Sequence, residues 1–170
     1  MSTRRPSPSA PPAETWALAF AAALLRDPAG RYLVQVRDQA PGILHPGAYG
    51  LFGGGIEEGE KAEEAIRREL LEEIGWVPDD LRFWGTLWIP ARYPGAPMRS
   101  ARVEAFEGSI TRDRVALLRQ TEGAGRALIP PRTLLLEANV APVARLAIGL
   151  HAQGAICRGG SEPASEHWTA

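Results

Sequence analysis

Apolar residues recur along this chain with two periods, and the changes between them mark out the elements. Residues 16–26, WALAFAAALLR, form an unbroken apolar run that is too short to span a bilayer and reads as a buried strand. A second strand-like run covers residues 31–38, and Asp27, Pro28, Ala29 and Gly30 between the two supply the dihedrals of a turn, so a hairpin is expected. Two prolines and two glycines make residues 39–47 a loop, after which a short strand over 48–52 runs into Gly53, Gly54 and Gly55. Over residues 60–74 the period changes: Ile66, Leu70 and Ile74 recur every fourth position, and Gly75 then Pro78 stop the helix they predict. Residues 81–89, 102–110 and a shorter run at 115–118 carry the aromatic and branched side chains of further strands. Alanine, leucine and isoleucine at helical spacing over 142–153 predict a second long helix packed on the sheet. The chain is thus expected to be one domain over residues 14–153, with a proline- and serine-rich flexible leader at 1–13 and a loose tail at 154–170.

Composition supports one folded domain and narrows its chemistry. A chain of 170 residues, 45% apolar and 23% charged, can build a core without disulfides. The net charge of −1 gives no basic field for a nucleic-acid polymer, so small substrates are favoured. Cys157 is the sole cysteine, which excludes an internal disulfide or a cysteine zinc cluster and fits a cytoplasmic protein. Arg4 and Arg5 ahead of the first apolar run mimic a secretion signal, but Glu14 and a proline-rich spacer intervene, and no membrane association is expected. His45, His151 and His167 are scattered, lack the helical pairing of a zinc hydrolase, and are expected to be surface or packing residues.

The chemistry concentrates in GGIEEGEKAEEAIRRELLEEIGW, residues 54–76. At about 100° per residue, Glu69, Glu72 and Glu73 share one arc of the helix, where like charges repel by about 0.2–0.5 kcal/mol per pair. An acidic arc beside an apolar stripe therefore calls for a cation. With only carboxylate and carbonyl oxygens nearby, magnesium is the natural candidate, and manganese a substitute for it.

In this segment Gly54, Glu60, Arg68, Glu69, Leu70, Glu72, Glu73 and Gly75 fall in the register of the Nudix box, and Trp76 stands where an aliphatic residue is usual. The chain resembles the Nudix hydrolase family on these positions. The resemblance implies an α/β fold, an α/β/α sandwich with a mixed β-sheet, holding the box helix on one side and residues 142–153 on the other. It also implies Glu69, Glu72 and Glu73 as metal ligands with the Gly53 carbonyl, Arg68 orienting the carboxylates, and Glu60, Gly54 and Gly75 in support. The implied reaction is magnesium-dependent cleavage of a diphosphate bond in a nucleoside-diphosphate derivative such as ADP-ribose, a nucleotide sugar or a dinucleoside polyphosphate. Its general base would be Glu72 or Glu73 on the helix, or Glu122 in the loop over residues 120–125, which resembles the loop glutamate that many members place over the site.

The alternative is a Nudix-fold nucleotide-binding or regulatory module without turnover, against which the intact carboxylates argue. For the substrate, Pro90 and Tyr93 stand at offsets associated with ADP-ribose and dinucleoside polyphosphates respectively. Arg92, Arg99 and Arg102 could reach phosphates, and Tyr93, Trp84 or Trp88 could stack a base. Self-association, including a homodimer, stays open at this level.

Overall fold

The first apolar run becomes β1 (Trp16–Arg26), the innermost strand of a mixed sheet, and its burial on both faces explains why it lacks polar alternation. Ala21, Ala23 and Leu25 enter one core, while Ala22 and Leu24 enter the other. The computed structural model describes residues 16–91, 99–136, 138–156 and 165–169, so the expected leader at 1–13 lies outside the described residues.

Chain order continues through β2 (Tyr32–Val36), β3 (Tyr49–Gly50), α1 (Ala62–Ile74), β4 (Arg82–Ala91), β5 (Arg99–Ser109) and α2 (Arg112–Leu117). It ends with β6 (Gly125–Ile129), α3 (Pro131–Leu136), α4 (Pro142–Ile156) and β7 (Glu166–Thr169). The strands lie in the order β4-β5-β1-β2-β6-β7, with β3 paired to β2. The β1–β5 ladder is parallel and the other ladders between named strands are antiparallel, which gives the mixed sheet. On one face Ala65, Ile66, Leu70 and Ile74 of α1 and Val115 of α2 bury against Leu33 and Phe52. On the other face Leu134 of α3 and Ala144, Ala147, Ile148 and Ala152 of α4 cover Tyr32 and Val34. This is the expected sandwich, with helices on both faces.

The hairpin closes as expected but pairs only at its turn, Leu25 with Leu33 and Arg26 with Tyr32. Asp27 steadies that turn by accepting the Arg31 N–H at 2.8 Å and its Nε at 2.8 Å. Beyond it, the flank of β1 is taken by the glycine segment, since Ala23 donates to the Phe52 carbonyl, Ala21 to Gly54 and Ile56 to Ala19, each at 2.9 Å.

Several expectations are corrected. Residues 115–118 form no strand but belong to the turn of α2, which starts where Thr111 Oγ1 accepts the Arg114 N–H at 3.2 Å. A short apolar run cannot tell a strand from one helical turn. The box helix starts at Ala62, with Lys61 as its cap, so Glu60 stands outside it. The tail is not loose throughout: residues 166–169 return as β7 on β6, with Glu166 held by Arg31 at 2.9 Å and Arg112 at 2.6 Å. Its partners lie far upstream, where no local pattern could show them. Among the described residues no helix is long and apolar enough to cross a membrane.

Candidate active site

The site begins with the glycine segment lying along β1. Because the carbonyls of Phe52 and Gly54 are spent on β1, Gly53 between them turns the other way, and its N–H donates to Glu73 Oε2 at 2.7 Å. That close approach requires glycine: Gly53 has φ +127°, and a Cβ there would stand 2.2 Å from the Ala21 carbonyl oxygen. At Gly54 the neighbour is a side chain, since a Cβ would meet Glu69 Oε1 at 2.4 Å. The two bare backbones therefore fit directly against two of the box carboxylates.

α1 places those carboxylates in three environments. Glu73 falls on the apolar stripe, seven residues from Ile66, and is 4% exposed. Burial pushes its carboxyl up to about 8 against the pull of the Gly53 N–H, with the charges of Glu122 and Glu69 adding to the rise. Glu69 is half-buried against Gly54, and the Glu72 side chain is 59% exposed at the far edge of the arc. Arg68 organises the exposed part. Its Nη1 donates to Glu69 at 2.9 Å and Glu72 at 3.2 Å, while Nε and Nη2 clasp Glu60 at 2.9 and 3.0 Å. Those hydrogen bonds from Arg68 hold the Glu60 carboxyl below its ordinary range. Glu60 thus acts through Arg68, and the expected arc splits into an Arg68-bound pair and an inward Glu73. Among the described residues no three His, Cys, Asp or Glu side chains are already closed around a metal position.

The loop that carries Glu122 is docked on the C-terminal end of α1. Gly75 ends the helix in the left-handed conformation at φ +68°, leaving carbonyls that the loop satisfies. Thr121 donates its N–H to Glu73 O at 2.9 Å and its hydroxyl to Glu72 O at 2.5 Å, and Arg119 N–H reaches Ile74 O at 3.3 Å. The Glu122 carbonyl accepts from Gln120 Nε2 at 2.7 Å and Gln35 Nε2 at 3.2 Å, leaving its carboxylate exposed. Gln35 is the site residue that sequence reasoning missed. Buried on β2, it also donates to Glu73 Oε1 at 3.3 Å, and so ties the helix carboxylate to the loop. A polar residue inside an otherwise apolar strand, YLVQV, was the available signal.

Gly53, Gly54, Glu73, Thr121 and Glu122 open onto one cleft of about 550 Å³ between the glycine segment and the start of α4. A second cavity, of about 510 Å³ and lined by Trp76, Arg82 and Arg114, holds none of the box carboxylates. Trp76 packs its ring beside the α1 core with the Arg114 guanidinium 5.5 Å above it, so the departure in the box alters packing away from the cleft. Pro90 lines the cleft. The other substrate candidates do not gather there: Trp84 stands edge-on to His151, and Arg102 pairs with Glu104 at 3.2 Å. Trp88 and Arg99 lie exposed on β4 and β5 outside the cleft. Arg92, Tyr93 and Cys157 lie outside the described residues.

Comparison with known proteins agrees with this fold. Over 46 residues the chain is 48% identical to the nucleoside triphosphatase NudI of Escherichia coli, a stretch covering 27% of this chain and 32% of that protein. The chain therefore spans about a third of the length of the curated relatives it matches. A mutT/nudix family protein from Listeria innocua superposes with a TM-score of 0.64 at 21% identity, over 84% of this chain and 95% of its own. The NUDIX domain of Shewanella oneidensis NrtR, solved with ADP ribose, gives 0.60 at 18% identity, over 81% and 88% of the two chains. At these identities the two likenesses establish the fold. The NUDIX domain family matches residues 15–144, a span running from β1 through the glycine segment, α1 and the Glu122 loop into α4, and the chain belongs to the Nudix family.

Proposed function

We propose that this chain is a magnesium-dependent pyrophosphohydrolase that converts a nucleoside-diphosphate derivative, NDP-X, into a nucleoside monophosphate and X-phosphate. The observation that carries the reading is Glu73: a buried carboxylate against a glycine backbone at the floor of an open cleft. Burying this acid is costly, and the hydrogen bonds from the Gly53 N–H and Gln35 offset only part of that cost. The donors proposed for it suit a hard ion, being the Glu73 carboxylate and the Gly53 carbonyl of the cleft lining and the Glu69 and Glu72 carboxylates that Arg68 holds on the same helix, with Gly54 leaving bare the space a Cβ would fill against Glu69. These residues would hold magnesium, or manganese in its place. Bound there, the metal would neutralise charge on the diphosphate and lower the pKa of attacking water.

The chain's own residues do the rest. Arg68 keeps Glu69 and Glu72 apart in charge but together in space. Glu122 lines the cleft on a docked loop and would take the proton of water as its oxygen attacks one phosphorus, while the bridging oxygen leaves with the other. The names of the relatives support a phosphoanhydride substrate without choosing one: a nucleoside triphosphatase and a domain solved with ADP ribose share the diphosphate element.

The test is a panel of nucleotide sugars, ADP-ribose, dinucleoside polyphosphates and nucleoside triphosphates, assayed with magnesium and with chelator on the wild type and Glu73→Gln. Magnesium-dependent turnover that Glu73→Gln reduces by at least a hundredfold supports the reading. Nucleotide binding without turnover of any member would show a binding module instead.

A further inference from the structure

Three histidines are scattered through this chain, and two are accounted for by packing. His151 Nδ1 meets the buried Tyr32 hydroxyl at 2.6 Å and its Nε2 meets Glu107 at 2.9 Å, while His167 Nε2 pairs with the Tyr49 hydroxyl at 2.9 Å. His45 differs from both. Its imidazole is exposed and has no hydrogen-bond partner among the described residues, yet it lines the same cleft as Gly53, Glu73 and Glu122.

Its backbone is also unusual. His45 has φ +55°, the only positive φ at a non-glycine residue among those described, and it precedes Pro46, a context that favours extended conformations. The surrounding loop holds it there. Arg37 Nε donates to the Leu44 carbonyl at 2.7 Å, Ala48 N–H to the His45 carbonyl at 3.2 Å, and Arg37 and Ala48 exchange a further backbone bond at 2.9 Å. A strained residue kept in place by its surroundings, at the rim of a functional cleft, points to a role for its side chain.

The cleft limits what that role can be. Its lining near His45 in the chain combines the aliphatic Ile43 and Leu44 with the charged Arg37 and Asp38, Pro142 and Val143 also line it, and its only other aromatic ring among the described residues is that of Phe20. The aromatic residues suggested by sequence, Trp84 and Trp88, do not line it. A planar imidazole beside aliphatic side chains suits the face of a heterocyclic base, as the Arg37 guanidinium in the same lining suits a phosphate. We propose that His45 is a specificity-determining residue that stacks on the base of the nucleoside half of the substrate. The proposal rests on the reading of the cleft as a nucleotide site, but not on turnover.

Calorimetric titration separates the two. Wild type, His45→Asn and His45→Gly would be titrated in magnesium with AMP, GMP, CMP and UMP, and with inorganic pyrophosphate as the ligand without a base. Asparagine tolerates positive φ and glycine removes the strain, so both variants should fold, with the melting temperature of His45→Gly equal to or above the wild type. The expected result is at least one nucleotide bound by the wild type, on the order of tenfold weaker in both variants, with pyrophosphate affinity within twofold. Unchanged nucleotide affinity, an equal loss for pyrophosphate, or no nucleotide bound by the wild type would overturn the proposal. His45-dependent binding without turnover would sink the hydrolase reading alone, and turnover with His45-independent binding would sink this one alone.

Discussion

Gly53 and Gly54 are neighbours in one glycine run, yet alanine should act on them in opposite ways. At Gly53 the new methyl would meet backbone, 2.2 Å from the Ala21 carbonyl oxygen and 2.9 Å from the Ala22 Cα, at φ +127°. Neither atom can move without disturbing the central strand. Backbone strain of about 1–3 kcal/mol and overpacking of about 1–3 kcal/mol together predict a loss of about 2–6 kcal/mol. For a domain of this size that lowers the melting temperature by roughly 5–20 °C. At Gly54 the methyl meets only the end of the Glu69 side chain, at 2.4–2.7 Å, and the backbone there is not in the left-handed region. The carboxylate can swing away. The cost is a partly exposed ion pair with Arg68, about 0–1 kcal/mol, offset by about 0.4–1 kcal/mol from a stiffer unfolded chain. Gly54→Ala should therefore melt within about 4 °C of the wild type. It should nevertheless lose on the order of a hundredfold in activity or magnesium affinity, because on the proposed reading it displaces the ligand Glu69, which costs about as much as a missing supporting contact. Thermal unfolding in chelator and a magnesium titration of turnover measure both quantities. If Gly54→Ala proved as unstable as Gly53→Ala, or kept its magnesium response, the placement of Glu69 against Gly54 would be refuted.

Three other outcomes follow from named contacts. Glu73 is held protonated by burial up to about 8, among Glu122, Glu69, the Gly53 N–H and Gln35, whereas the unfolded chain ionises it near its ordinary value. Over that interval the folded state holds the extra proton, so metal-free stability falls as pH rises, by at most about 1.4 kcal/mol per pH unit, and levels off above. Glu73→Gln should lack this component in chemical unfolding at pH 5, 6, 7 and 8, and an identical pH slope in both proteins would count against it. Gln35→Leu removes the donor shared by Glu73 and the Glu122 carbonyl. Urea unfolding should show a loss of about 1–3 kcal/mol, with kcat falling more than KM rises. Ending the chain at residue 164 removes β7 and leaves Arg31 and Arg112 without Glu166. The truncated protein should melt several degrees lower, and an unchanged melting curve would show that β7 contributes nothing.

Local pattern determined a good deal here. The apolar run of β1, the fourfold spacing of Ile66, Leu70 and Ile74, and the stop at Gly75 each depend on contacts within a few residues, so they are written in the sequence directly. The fixed offsets from Gly54 to Gly75 do the same for the box, because one glycine turn and three helical turns set their geometry. Tertiary structure alone decided how the acidic arc divides. Glu69, Glu72 and Glu73 look alike in sequence, and only docking of α1 on the sheet sends Glu73 inward and leaves Glu72 in solvent. It alone brought Gln35, 38 residues away, onto Glu73, laid the Glu122 loop on the helix end, and returned residues 166–169 to β6. Such contacts join segments distant along the chain, and their stability comes from burial and hydrogen bonds between surfaces that no local period encodes.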